Sequence, residues 1–278
     1  MEKVNVMGNG FVGGQFSSQY DVVVNDRNDY VPQTSKILYF ISTVDNYNVH
    51  TNPHLDIDTN LTTLITTLET CREKYGSDFE FNFISSWFVY GKTEIPAKES
   101  YTCFPSGFYS ITKRCAEQLL ISYCETYKIK YRILRLSNII GQNDKKVSKK
   151  KNALQYMIQQ LIAGETVNLY EGKILRDLMD VRDAATAINL VITKGNLNEI
   201  YNVGNGIGYS FEEIIYNVQE YLGTGNIVRI PVPEFHKLVQ AKDFYLDTSK
   251  LKSLGYTPQY DIGESVLEIA RGYRNENQ

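Results

Sequence analysis

Val4-Asn-Val-Met7-Gly8-Asn-Gly10-Phe11-Val12-Gly13 decides the fold. A short apolar strand runs straight into G-x-G-x-x-G. The first glycine permits a tight turn, the second lets the backbone approach a pyrophosphate, and the third lets the following helix pack close on the strand. A helix that starts there turns its unbonded N–H groups and the positive end of its dipole toward an anion. The next apolar run, residues 22–25, ends at Asp26, 18 residues after Gly8. A carboxylate at that place accepts both ribose hydroxyls and repels a 2′-phosphate, which favours NAD over NADP. Arg27 beside it weighs the other way. The candidate cofactor contacts at this end are Gly8, Gly10, Phe11, Val12, Gly13, Asp26 and Arg27.

Outward from this start, strand-like and helix-like segments alternate. Further strands are expected at residues 37–41, 79–84 and 131–136. Leu61, Leu64, Ile65 and Leu68 recur at helical spacing and Gly76 ends that segment. Ile111, Cys115, Leu119 and Tyr123 form an apolar stripe on the next helix. Such alternation predicts an α/β fold, a Rossmann-like doubly wound parallel sheet with helices on both faces. Past Gly141 the texture changes. A basic loop spans Lys145 to Lys151, and helices are expected at 152–163, 181–193 and 264–273. Ser210-Phe-Glu-Glu213 reads as a capping box before Ile214, Ile215, Val218 and Leu222, with Gly223 as the stop. The division expected is a nucleotide domain of residues 1–142 plus about 176–204, and a smaller substrate lobe of about 143–175 plus 205–278.

The chain has 278 residues, 42% of them hydrophobic, enough for one large domain or a domain plus a lobe. Its 29 basic and 32 acidic side chains give a formal charge of −3, which does not suggest a nucleic-acid binder. No run approaches the ~18 apolar residues of a membrane span. Cys71, Cys103, Cys115 and Cys124 are scattered, so a reducing, cytoplasmic location is expected. His50, His54 and His236 lack metal-ligand spacing, and no metal site is expected. Asn60-Leu-Thr62 matches a glycosylation sequon without a secretory context.

Tyr109-Ser-Ile-Thr-Lys113 places a phenol and an ammonium four residues apart on one helix face. A nearby positive charge lowers a tyrosine pKa toward working pH, and such a tyrosine can move a proton on or off a sugar hydroxyl. With Ser86 upstream and the glycine-rich start, the chain resembles the extended short-chain dehydrogenase/reductase family, in its NAD-dependent epimerase/dehydratase branch acting on nucleotide sugars. Gly8–Gly13 matches the family fingerprint. Ser42-Thr43 stands where the family has a small pair beside the cofactor. Phe83-Ile-Ser-Ser-Trp-Phe-Val-Tyr-Gly91 is similar to its S-S-x-x-V-Y-G strand. Arg135-Leu-Ser-Asn138-Ile-Ile-Gly141, Arg176-Asp177, Tyr201-Asn-Val-Gly204 and Asp247-Thr-Ser-Lys250 match later signatures. The resemblance implies a catalytic set of Ser86, Tyr109 and Lys113, the last two also touching the cofactor with Ser42 and Thr43. It implies a nucleotide-diphosphate sugar held by Ser86, Trp87, Asn138 and Arg176, and a homodimer.

The alternatives at each position are structural. Ser86 can be a strand-end serine, Tyr109 and Lys113 a surface pair, Asn138 a turn residue, and Arg176 a partner of Asp177 or Asp180. The basic loop can be solvated or can cover an anionic diphosphate, and Lys237 is a further possible phosphate contact. Two features depart from the family. Only ten residues separate Asp26 from Ile37, where the family inserts helix, strand and helix. Ten extended residues reach about 33 Å, enough to move two strand positions of about 10 Å and return along about 17 Å of strand. The edge strand is therefore lost and the adenine end is expected to be more open, with Asp29 a poor substitute for the family's acidic residue there. Trp87-Phe88 stands where the family's 4,6-dehydratases carry an Asp-Glu acid/base pair, which disfavours that reaction. The reaction expected is C4 oxidation and return by a 4-epimerase. A ketosugar reductase, or a catalytically silent binding protein, remains open.

Overall fold

The computed structural model describes residues 3–144, 147, 148, 151–239 and 242–276. The chain runs β1 (Val4–Met7), α1 (Phe11–Gln19), β2 (Val22–Val24), β3 (Lys36–Tyr39), α2 (Asn48–Thr51), α3 (His54–Ile57), a π-helical turn (Asp58–Thr62), α4 (Thr63–Tyr75), β4 (Glu80–Ser86), a 3-10 turn (Trp87–Tyr90), α5 (Phe108–Tyr127), β5 (Lys130–Leu136) and β6 (Asn138–Ile140). It continues α6 (Ala153–Ile162), β7 (Thr166–Tyr170), β8 (Leu175–Asp180), α7 (Val181–Lys194), β9 (Glu199–Val203), β10 (Gly208–Ser210), α8 (Phe211–Leu222), β11 (Asn226–Ile230), α9 (Glu234–Val239), α10 (Ser249–Ser253) and α11 (Ile262–Glu276).

Six strands form one parallel sheet in the order β2-β1-β3-β4-β5-β9. Alternate residues of each strand enter alternate layers, as pleating requires. Val6, Leu38 and Leu134 pack with α1 and α7 through Phe16, Ala184, Ile188 and Val191. Met7, Ile37, Tyr39, Phe81, Phe83 and Ile133 pack with α4 and α5 through Leu64, Leu68, Ala116 and Leu120. Both faces are covered, which is why the strands read as apolar runs.

β2 is the edge strand, and the short connection to β3 is made as the sequence suggests. Two buried asparagines hold it. Asn5 Nδ2 donates to Asn25 Oδ1 at 2.7 Å, and the Gln33 N–H donates to Asn5 Oδ1 at 2.6 Å. Lys74 on α4 donates to the Pro32 carbonyl at 2.7 Å, so the loop runs over the α4 side of the sheet.

The five strands expected from sequence all form, with ends shifted by one or two residues. The sixth, β9, and the short strands outside the main sheet carry no comparable apolar run. The stripe on α5 is corrected. Ile111 and Leu119 face outward at 43% and 42% exposure, while Tyr109, Thr112, Lys113, Ala116 and Leu120 face inward. The polar site occupies the inner face and leaves part of the apolar stripe outside. The Ser210 cap is present, its Oγ accepting from the Glu213 N–H at 3.3 Å.

Outside the sheet, α6, α8 and α11 enclose Leu154, Ile158, Ile215, Val218, Val266 and Ile269. Leu251 of α10 and Tyr256 pack into the α7 side of the main sheet. Of the basic loop, Lys145, Lys146, Lys149 and Lys150 lie outside the described residues. Lys151 pairs with Asp144 at 2.6 Å. Among the described residues no helix is long and apolar enough to cross a membrane.

Candidate active site

A cleft of about 1620 Å³ lies over the carboxyl ends of β1 to β5 and reaches the smaller layer of α6 and β7. Open α/β sheets place ligands at this edge. Gly8–Gly13, Asp26, Arg27, Ser42, Thr43, Ser86, Trp87, Tyr109, Lys113, Asn138 and Arg176 all line it, so every candidate site residue reaches one cavity.

The glycine turn is built for a close approach. Gly8 has φ +100°, and a side chain there would also press on the Ile41 backbone at 2.9 Å. A Cβ on Gly13 would stand 2.3 Å from the Gly8 carbonyl, whereas one on Gly10 would meet nothing within 4 Å. Gly10 therefore borders open space. It begins α1 without a side-chain cap, and the first turn holds no acidic residue. The first N–H groups of α1 thus have neither a capping side chain nor a carboxylate from their own turn, which suits them to a pyrophosphate. Exposed Asp26 follows β2. These residues fit a dinucleotide.

Ser42 and Thr43 are fixed by Asn60, which the sequence offered only as a sequon. Asn60 is buried. Its Oδ1 accepts from Ser42 Oγ and the Thr43 N–H, each at 3.0 Å, and its Nδ2 donates to Thr43 Oγ1 at 2.8 Å and Thr112 Oγ1 at 3.0 Å.

Ser86 ends β4, and Tyr109 and Lys113 point inward from α5. The expected lowering of the Tyr109 pKa by Lys113 is not what the structure shows. Burial pushes the Tyr109 phenol up to about 12, with the Ser86 and Ser42 hydroxyls pulling the other way. The Lys113 ammonium donates to the Ile84 carbonyl at 2.8 Å and lies 4.1 Å from the Phe83 ring centre. Burial also lowers its pKa to about 7, against a smaller opposing influence from Glu117. Desolvation is the largest influence on both groups.

Beneath this set lies a buried ion pair. Glu117 accepts from Arg135 at 2.8 and 3.0 Å, from Ser85 Oγ at 2.6 Å and from Arg114 at 2.7 Å. Burial opposes the Glu117 charge, yet the Arg135 charge and these hydrogen bonds keep its pKa below the ordinary range. Sequence reasoning passed over Glu117 because a helical glutamate usually faces water.

On the opposite wall Trp87 stacks on Phe88 with centres 4.1 Å apart, and Phe88 meets Tyr109 edge-on at 5.9 Å. The Arg176 guanidinium lies 5.7 Å from the Trp87 ring. It donates to the Leu175 and Lys242 carbonyls, and burial lowers its pKa to about 10. Asp177 and Asp180 are engaged elsewhere. Asp177 accepts backbone N–H groups of Asn205, Gly206 and Leu246, and Asp180 pairs with Arg182. Asn138 donates to the Asp177 carbonyl at 3.1 Å. Lys237 pairs with Glu234. Its neighbour His236, which no sequence signal marked, joins the Tyr47 and Tyr170 hydroxyls at the cleft wall.

Residues 24–204 match the NAD dependent epimerase/dehydratase family, and the chain belongs to that family. A Methanocaldococcus jannaschii protein with a provisional UDP-glucose 4-epimerase name is 28% identical over 229 residues, 82% of this chain and 73% of that protein. The UDP-glucose 4-epimerase of Thermotoga maritima, solved with UDP-glucose, superposes with a TM-score of 0.85 over 99% of this chain and all of that one, at 21% identity. RMD of Pseudomonas aeruginosa, solved with NADPH, gives 0.85 over the same shares at 19% identity. At that identity these two likenesses show the fold. Relatives and neighbours also include dTDP-glucose 4,6-dehydratases, and the curated Streptomyces antibioticus member is matched over 57% of its length.

Proposed function

We propose that this chain is an NAD-dependent nucleotide-sugar 4-epimerase that works by transient oxidation at C4. The observation that carries this reading is the convergence of Tyr109, Ser86 and Lys113 with the glycine turn and Asp26 on one cleft. Tyr109, acting as the phenolate, takes the proton of the C4 hydroxyl and becomes the phenol, and Ser86 donates a hydrogen bond to the carbonyl oxygen that forms. Lys113, one turn along the same inner face of α5, supplies positive charge that favours the phenolate when it is protonated. Bound NAD would supply the hydride acceptor at this site. Asn138 and Arg176 hold the nucleotide-diphosphate part, Arg176 through a guanidinium suited to phosphate. Asp26 favours NAD over NADP.

Trp87 and Phe88 carry no proton-transfer group, which argues against 4,6-dehydration at this wall. Phe88 supports a second reading. Its ring stands against Tyr109 and narrows the room in which a keto-sugar could turn over. A ketosugar reductase needs no such turn.

The division proposed is a nucleotide half of residues 1–142 plus about 176–204 and a sugar lobe of about 143–175 plus 205–278, with Leu251 and Tyr256 of that lobe packing back onto the main sheet. Outward-facing Ile111 and Leu119 on α5 support a homodimer through this helix. Four free thiols are consistent with a cytoplasmic enzyme.

Thermal melts with NAD⁺, NADP⁺ and buffer test the cofactor half of this reading. A ligand at about 100 times its Kd stabilises by about 2.7 kcal/mol, a shift of a few degrees for a chain of this size. A shift with NAD⁺ that exceeds the one with NADP⁺ is expected. No shift with either overturns the reading.

A further inference from the structure

The loop between β2 and β3 holds one aromatic side chain at the far end of the cleft. Asn25, 5% exposed, donates from Nδ2 to the carbonyls of Asp29 at 3.1 Å and Val31 at 2.8 Å, the two residues that flank Tyr30. Asp29 Oδ1 accepts the Val31 N–H at 3.0 Å. Lys74 and Asn5 fix Pro32 and Gln33 just beyond. Backbone on both sides of Tyr30 is therefore pinned, which lowers the cost of ordering this loop when a ligand arrives. Tyr30 is half-buried. It lines the cleft together with Ile41, which follows β3, with Thr59 of the π-helical turn and with Thr63, the first residue of α4.

We propose that Tyr30 is the stacking platform for the adenine ring of the dinucleotide. The inference rests on the NAD reading above and names the residue that replaces the missing helix and strand at this end. Gly10 borders the space a pyrophosphate would take, and Asp26 stands where it can accept the hydroxyls of the adjoining ribose. The base then continues past Asp26, away from Tyr109, toward residues 27–30. Tyr30 is the one aromatic residue of the loop. A purine presents a flat π-face, and stacking on an aromatic side chain is worth about 1–3 kcal/mol per base, or roughly 5- to 150-fold in affinity. Ile41 adds an apolar contact, and the Thr59 and Thr63 hydroxyls can meet polar edges of the base. Asp29 is occupied with its own loop, so the shortened connection replaces an acidic contact with a stacking one.

Calorimetric titration of NAD⁺ and of ADP-ribose into wild type, Tyr30→Phe, Tyr30→Leu and Tyr30→Ala decides the matter, with ligand-free melting as the check on folding. Tyr30→Phe is expected to bind both ligands within about twofold of wild type. The Leu and Ala variants are expected to lose about tenfold for both ligands by the same factor, because the two share the adenine half. Tyr30→Leu keeps apolar bulk in the loop, so it decides the question if the Ala variant unfolds. Leu and Phe variants that bind ADP-ribose equally well overturn the platform and leave the NAD reading standing. Wild type that binds neither ligand overturns both.

Discussion

Lys113 stands one helical turn beyond Tyr109 on the inner face of α5, yet its ammonium is directed to the Ile84 carbonyl at 2.8 Å. The two groups are buried together, and burial works on them in opposite directions. It holds the Tyr109 phenol up at about 12 and brings Lys113 down to about 7. In the ligand-free chain burial thus disfavours the charged form of each group.

Tyr109→Phe removes the proton carrier and leaves the cleft wall in place. Turnover on the accepted sugar is expected to fall by about 10²- to 10⁴-fold, with nucleotide-sugar affinity within about threefold of wild type. Steady-state rates and a binding titration on the same preparation check this. Equal turnover by the variant contradicts the assignment.

Lys113 gives a pH signature. A solvated lysine titrates near about 10.4, whereas this one titrates at about 7 in the folded chain. Between those values the unfolded chain holds the extra proton, so stability rises with pH. The cost of burying Lys113 is complete below the folded pKa and is relieved as pH climbs toward the unfolded one. One proton corresponds to about 1.4 kcal/mol per pH unit at the steepest. Urea melts between about pH 7 and 9.5 should show wild type gaining on Lys113→Met. Parallel curves contradict the shift.

Gly10 and Gly13 separate binding from folding. A methyl on Gly13 meets the Gly8 carbonyl at 2.3 Å, and such overpacking costs about 1–3 kcal/mol. Gly13→Ala should therefore melt lower. Gly10→Ala meets open space, so its melting point should hold while NAD⁺ affinity drops. Gly10→Ala with unchanged NAD⁺ binding would mean that no pyrophosphate passes there.

Glu117 tests the support beneath the site. Glu117→Ala leaves Arg135, 1% exposed, without its counter-charge. Removing one partner of a buried pair costs about 3–5 kcal/mol. Chemical denaturation should register a loss of that size, and a loss below about 1 kcal/mol contradicts the buried pairing.

The sheet was legible because its strands are buried on both faces and read as continuous apolar runs. The glycine turn was legible because Gly8 and Gly13 satisfy local steric demands that few other residues can. The shortened β2–β3 connection was visible as a residue count, but the buried Asn5–Asn25 pair that holds it was not, since each asparagine looks like an ordinary polar residue until the strands pair. β9 escaped because its five residues interrupt the apolar run with Glu199 and Asn202 and gain their place only beside β5. The inner face of α5 was misread because Lys113 and Glu117 are charged and Ile111 and Leu119 are not. Their burial follows from Arg135 and the Ile84 carbonyl, contacts distant in sequence. Glu117, Asn60 and His236 act through partners on other elements, so no local pattern announces them.

The most direct test is turnover on UDP-, dTDP-, GDP- and CDP-hexoses with a catalytic amount of NAD⁺, followed by NMR at C4 with wild type and Tyr109→Phe in parallel. A C4 epimer formed without net consumption of NAD⁺, by wild type and not by the variant, is the expected result. In a parallel arm that supplies the matching nucleotide 4-keto-hexoses with stoichiometric NADH, single reduction of the keto-sugar with loss of NADH, and no C4 epimer in the first arm, would contradict the epimerase and establish the reductase. No turnover across the panel, with NAD⁺ still bound, would contradict catalysis by this site altogether.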